Sequence, residues 1–298
     1  MTDGHLIDID RLDDGDISRL LGRACALAAG ADAATLGATV ANLFYEPSTR
    51  TRVSFELAAQ RLGMRVINIE LERSSTTKGE SLEDTVATLT AMGVDAVVLR
   101  HPDDQRPAGL TRQVSGVRLI NAGDGSNAHP SQALLDAATL MSKGVDFARL
   151  RLAMVGDIRH SRVARSGLHL WQRLGVADIR LAGPAQWLPA APPCAAASLH
   201  ESLADAIAGA DVIMMLRVQH ERMDHTAWPD RAAYFSQWGL KPSDLERAAP
   251  DCVVMHPGPI NRGMEIDGDV ADGERSLILE QVRMGVFARM AIFEWLLG

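Results

Sequence analysis

Arginines, hydroxyls and a His-Gln pair follow a series of short aliphatic runs along this chain of 298 residues. Tyr45-Glu-Pro-Ser-Thr-Arg-Thr-Arg52 comes after Asn42-Leu-Phe44, and Arg100-His-Pro102 comes after the run at 96–99. Leu119-Ile120 leads into Asn121-Ala-Gly-Asp-Gly-Ser-Asn127 and then His129-Pro-Ser-Gln132. Further on, Arg159-His-Ser-Arg162 follows the run at 152–155. Arg217-Val-Gln219 follows 212–216, and His256-Pro-Gly-Pro259 follows 253–255. Any one of these arginines alone reads as a solvated loop residue. Six such deliveries in succession point to anion binding, because guanidinium groups fork onto carboxylates and phosphates through paired N–H donors.

Ser48-Thr-Arg-Thr-Arg52 is the sharpest element. A strand ending at Pro47 and Ser48, followed by a helix over 50–62, aims free backbone N–H groups and a positive dipole end at whatever lies beyond the strand. Ser48, Thr49 and Thr51 add hydroxyls, and Arg50 can grip phosphate oxygens. The bland alternative is a capped helix start with incidental arginines. The chain has neither G-x-x-x-x-G-K-[ST] nor G-x-G-x-x-G, so nucleotide-type phosphate loops are absent. His129 and Gln132, three apart at the start of a helix, share a face and suit a carbonyl oxygen or a carbamoyl NH2. His220-Glu221 begins a zinc-protease-like pattern, but Asp224 stands where its second His belongs. No metal or cofactor is implied, and no activated Ser or Cys elbow is visible. Asp157 reads as a loop or capping residue.

These side chains need elements to hold them. Strand-like runs at Thr39–Phe44, Arg65–Ile69, 96–99, 117–120, 152–155, 179–182, 212–216 and 252–255 alternate with amphipathic stretches. Ser81-Leu-Glu-Asp84 reads as a capping box, with Gly93 closing the helix. The stretch 184–197, rich in Pro and Ala, reads as a surface connection. Such alternation predicts α/β architecture: two doubly wound parallel-sheet domains with helices on both faces. A helix over 129–143 would carry the chain between them, giving domains 1–132 and 133–298, with a last helix near 277–297 returning to the first. In open α/β sheets ligands bind beyond the carboxyl ends of the strands, which is where the arginines fall.

Composition agrees with a soluble globular protein: 47% apolar, 23% charged and a net charge of −8, the last arguing against nucleic acid. Cys25, Cys194 and Cys252 are far apart and odd in number, unlike a secreted disulfide framework. The N-terminus lacks a signal-like basic and apolar region, and no run approaches the roughly 20 apolar residues of a membrane span. A cytoplasmic protein without membrane or nucleic-acid partners is expected.

Taken together and in this order, the motifs resemble those of the carbamoyltransferases over about residues 40–289. The matching elements are Phe44-Tyr-Glu-Pro-Ser-Thr-Arg-Thr-Arg52, Lys78-Gly-Glu80, Arg100-His-Pro102, Asn121 to Asn127, His129-Pro-Ser-Gln132 and Arg217-Val-Gln219. The resemblance implies that Ser48, Thr49, Arg50 and Thr51 hold the phosphate of carbamoyl phosphate. It further implies that Arg100, His129 and Gln132 surround the carbamoyl group, and that Gly258 and Pro259 offer backbone carbonyls to its amide. Lys78, with Ser74 or Ser75, would reach from a loop into a neighbouring subunit's site in a homotrimer. Arg50, Thr51, Lys78, Arg100 and His129 would be catalytic.

The acceptor is read from other residues. The ornithine branch of the family would show His-Cys-Leu-Pro near 256 and a loop ending Ser-Met-Gly after 216, whereas this chain has His256-Pro-Gly-Pro259 and Arg217-Val-Gln219. Arg162 and Arg217, helped by Gln219, suit the two carboxylates of L-aspartate and would repel an ammonium. Val163 stands where some relatives carry Thr, which removes one hydroxyl contact. The implied reaction is attack of the α-amine of aspartate on carbamoyl phosphate, a step in pyrimidine biosynthesis. Partner regulatory chains or a dihydroorotase are left open. The competing readings are a silent scaffold subunit and a carbamoyltransferase for another amino acid such as ornithine.

Overall fold

The computed structural model describes residues 4–69, 80–218 and 230–298. The chain forms two compact units, Met1–Ser142 with Val282–Gly298, and Lys143–Gln281. In the first unit, helix α1 (Asp14–Ala28) precedes β1 (Thr39–Phe44), α2 (Thr49–Arg61), β2 (Arg65–Ile69), α3 (Leu82–Ala91), β3 (Ala96–His101), α4 (Arg106–Leu110), β4 (Arg118–Asp124) and α5 (Pro130–Ser142). All pairings are parallel, in the order β2-β1-β3-β4. β1 and β3 are central and buried along most of their length, as a sheet covered by helices requires. The edge strand β2 is exposed or half-buried at every residue.

Ser81 Oγ accepts the Asp84 N–H at 3.1 Å and opens α3, while Gly93 takes the left-handed conformation just past its end. α5 lies wholly within the first unit and packs on α1, so the division falls after Ser142 rather than near Gln132. Its apolar residues Ala133, Leu134, Leu135, Ala137, Ala138 and Leu140 are all buried, which ties it to that core.

The second unit contains β5 (Arg151–Val155), α6 (Arg162–Arg173), β6 (Asp178–Ala182), β7 (Ala197–His200), α7 (Leu203–Ile207), β8 (Val212–Met215), α8 (Arg231–Trp238), β9 (Val253–Met255) and α9 (Gly268–Ala271). Its sheet is again parallel throughout, ordered β7-β6-β5-β8-β9. Two elements go beyond the sequence-based expectation. α1 is amphipathic, burying Ile17, Leu20, Leu21, Ala24 and Leu27 behind an Asp13 cap. β7 is a four-residue edge strand at the end of the Pro/Ala-rich stretch; Ala-Ser-Leu-His has no β-branched residue to announce it.

Helix α10 (Ile278–Leu297) begins in the second unit, where Ile278 joins the core, and its residues from Val282 on belong to the first. There Phe293 meets Phe55 edge-on at 5.8 Å, and Trp295 Nε1 donates to Asp16 Oδ1 at 2.8 Å. Arg23 forks onto Glu294 at 2.5 and 2.9 Å. The bond from Arg23 holds the Glu294 carboxyl below its ordinary range, against the opposing effect of burial. A depressed folded-state value stabilises above the unfolded value of about 4.3 and loses that contribution as pH falls through the folded one. Glu294→Gln should therefore unfold at lower temperature than wild type at pH 7, the gap closing below about pH 4. Calorimetric scans across pH test this; a gap independent of pH would mean the pair contributes no charge term. Among the described residues no helix is long and apolar enough to cross a membrane.

Candidate functional site

The strand order of the first sheet reverses between β1 and β3, the position where parallel α/β sheets open a crevice. Phe44 at the end of β1 pairs in register with Arg100 on β3, and Tyr45 N–H donates to the Arg100 carbonyl at 2.8 Å. The segment carrying Ser48 to Arg52 therefore leaves the sheet beside Arg100. Ser48 occupies the cap position of α2 but makes no side-chain cap; its Oγ lies 3.0 Å from Thr51 Oγ1 instead. The first-turn amides of α2 are thus not closed off by their own cap, an arrangement suited to an anion. Arg50 is exposed and Thr51 buried.

Arg100 is held in place. Its Nη1 donates to the Ala122 carbonyl at 3.1 Å, and its Nε lies 3.2 Å from Glu46 Oε2, close enough for ion pairing though off the hydrogen-bonding direction. The turn that follows β4 is organised by Asp124, which is buried. Asn121 Nδ2 donates to its Oδ1 at 2.7 Å, and Asn127 Nδ2 to its Oδ2 at 2.9 Å. The backbone N–H groups of Gln105 and Ala128 complete its set. This turn delivers His129, buried at the head of α5, with Gln132 one turn on. Gln132 Nε2 donates to Asp136 Oδ1 at 3.0 Å.

The second sheet reverses between β5 and β8. Leu216 N–H donates to the Val155 carbonyl at 2.8 Å, so Gly156 and Leu216 leave the sheet side by side. Gly156 has φ +131°, and a Cβ there would meet Leu216 Cβ at 3.1 Å, which explains glycine at this close approach. Beyond it Asp157 is buried and accepts the His160 N–H at 3.1 Å, a loop-forming role. Ser161 caps α6, and Arg162 is its first residue and buried. Arg217 follows Leu216 and is half-buried. After β9, Gly258 N–H donates to His256 Nδ1 at 2.8 Å, which leaves the ring proton on Nε2, 3.1 Å from Glu265 Oε1. That buried pair shapes the turn bearing Gly258 and Pro259, joined by a cis peptide bond.

Within the first unit, Ser48, Thr49, Arg50, Thr51, His129 and Gln132 thus follow the strands β1 and β4, and Arg100 sits near the end of β3 between them. Within the second, Arg162, Arg217, Gly258 and Pro259 follow the adjacent strands β5, β8 and β9. Ser74, Ser75, Lys78 and Gln219 lie outside the described residues. Reading the sequence did not single out Glu46, Asp124, Asp136 or Glu265. Glu46 and Asp124 sit inside recognisable motifs, and Asp136 lies one helical turn from Gln132, so those three carried a signal. Glu265 carried none.

The profile described as "Aspartate/ornithine carbamoyltransferase, carbamoyl-P binding domain" matches residues 4–142, and that described as "Asp/Orn binding domain" of the same enzymes matches 148–296. The chain is 47% identical, over 302 aligned positions, to the aspartate carbamoyltransferase catalytic subunit of Xanthomonas euvesicatoria pv. vesicatoria, covering 99% of this chain and 96% of that one. Among solved structures it resembles aspartate transcarbamoylase from Trypanosoma cruzi in complex with N-(phosphonacetyl)-L-aspartic acid. The TM-score is 0.84 at 30% identity, covering 98% and 94% of the two chains. It overlays equally well on ornithine carbamoyltransferase from Pyrococcus furiosus, with TM-score 0.88 at 28% identity and coverage of 99% and 97%. The fold therefore does not separate the two acceptors.

Proposed function

This chain belongs to the aspartate/ornithine carbamoyltransferase family, and from that premise we propose that it transfers the carbamoyl group of carbamoyl phosphate to the α-amine of L-aspartate. The products are N-carbamoyl-L-aspartate, a pyrimidine precursor, and phosphate. The observation that carries the reading is the placement of arginines at both sheet reversals, Arg50 and Arg100 at one, Arg162 and Arg217 at the other.

The first unit takes carbamoyl phosphate. Ser48, Thr49, Arg50 and Thr51 bind the phosphate at the head of α2, and Arg100, His129 and Gln132 surround the carbamoyl group. The second unit takes the aspartate carboxylates on Arg162 and Arg217, with Gln219 assisting, and Gly258 and Pro259 offer carbonyls to the carbamoyl NH2. The amine lone pair attacks the carbamoyl carbon, and negative charge builds on its oxygen opposite Thr51, Arg100 and His129. The C–O bond to phosphate then breaks, and the departing phosphate accepts the amine proton. Each oxyanion donor of this kind lowers the barrier by about 3–4 kcal/mol. The chain works as a cytoplasmic homotrimer in which Lys78, with Ser74 or Ser75, completes a neighbour's site.

Purified protein should carbamoylate aspartate and leave ornithine essentially untouched when each is supplied with carbamoyl phosphate. Faster product formation from ornithine would overturn the acceptor assignment, and no transfer to either would favour a silent scaffold.

A further inference from the structure

Beneath Gln132 lies a group that the reaction does not consume. Asp136, one turn along α5, is buried, and its Oδ1 accepts from Gln132 Nε2 at 3.0 Å. The bond runs from the amide NH2 to a carboxyl oxygen, so the nitrogen side of the Gln132 amide faces Asp136. One N–H of the amide is taken by Asp136 and the second stays on the same nitrogen, so the group on the other side of the amide is Oε1, which can only accept.

The first unit also buries a cation that answers the carboxylate. Arg289 on α10 is buried, stacks over the Phe55 ring at 4.9 Å and donates Nη1 to the Gly285 carbonyl at 2.8 Å. Burial pulls its guanidinium down to about 10, while the charge of Asp136 acts in the opposite direction, so Arg289 remains cationic at neutral pH. Phe55 lies in α2, the helix whose head carries Arg50 and Thr51, so one buried arginine touches that helix and also feels the charge of Asp136 in α5.

We propose that Asp136 is a specificity-setting positioning residue, which holds Gln132 by its amide nitrogen so that the acceptor Oε1 is turned to the donor substrate, with the buried charge of Arg289 acting on Asp136. The assignment rests on the reading of Gln132 as a carbamoyl ligand. Carbamoyl phosphate brings an NH2 that satisfies this acceptor. Acetyl phosphate, of nearly the same shape, brings a methyl group and leaves Gln132 Oε1 unpaired. A site built around a hydrogen bond rejects the analogue that lacks it far better than a merely shaped pocket does. In Asp136→Asn the partner can donate as well as accept, so the Gln132 amide is free to turn over.

The test compares inhibition by acetyl phosphate with the KM for carbamoyl phosphate in wild type, Asp136→Asn and the double variant Asp136→Leu with Arg289→Met. The double variant removes both buried charges together and avoids leaving either alone. Thermal unfolding and inhibition by inorganic phosphate are measured alongside, since a purely structural role would shift these and leave the ratio unchanged. The ratio of the two constants should narrow about tenfold, the equivalent of one hydrogen bond, with phosphate inhibition retained. Folded variants that discriminate as wild type does would overturn the role of Asp136. Wild-type protein that does not prefer carbamoyl phosphate at all would instead overturn the reading of Gln132.

Discussion

Arg217→Ala should lower kcat/KM for aspartate by at least two orders of magnitude while carbamoyl phosphate still binds. Truncating one partner of a desolvated charge pair typically costs about 2–5 kcal/mol, and about 3 kcal/mol already gives that factor. Arg217 is half-buried at the reversal of the second sheet, anchored through Leu216 to the end of β5. Its charge is consequently less screened than that of an exposed loop arginine. Arg217→Lys should also be costly, since an ammonium keeps the charge and loses the fork. Steady-state kinetics with each substrate varied in turn decide the matter. An unchanged aspartate KM and kcat in Arg217→Ala would remove this residue from the acceptor site.

The second large effect concerns Lys78, which lies outside the described residues, in the segment preceding the Ser81 cap of α3. Lys78→Ala and Arg50→Ala should each be nearly inactive alone. If Lys78 completes the site of a neighbour in a closed ring, mixing the unfolded variants in equal amounts and reassembling them should restore about one quarter of wild-type activity. Such a ring has head-to-tail contacts, so a site pairs one chain's body with the next chain's loop. Half the bodies keep Arg50 and half the loops keep Lys78, and a site with neither lesion needs both. Variants treated separately should stay inactive. Charge-tagged mixed trimers that form without recovering activity would show that Lys78 serves its own chain.

What the sequence by itself determined was local in origin. The gathering of the proposed anion-binding groups at strand ends was legible because each follows an aliphatic run directly, and in a parallel sheet whatever follows a strand appears at the same edge. The Ser81 cap and the close of α3 at Gly93 were legible because capping is decided within a few residues. The acceptor, too, was written in short motifs, whereas the overlay on aspartate and ornithine enzymes alike shows that the fold does not carry it.

Tertiary structure decided what depends on strand order and on partners distant in the chain. Alternating strands and helices do not state which neighbours pair, so the reversals between β1 and β3 and between β5 and β8 emerge only from the assembled sheets. The end of the first unit at Ser142 follows from the packing of α5 on α1, a contact between segments about a hundred residues apart. β7 pairs as an edge strand through its backbone, and its side chains needed to announce nothing. Arg289 stacks on Phe55 and feels the charge of Asp136 from the far end of the chain. A buried charge must find its counterpart wherever folding brings one, and sequence separation places no limit on that distance.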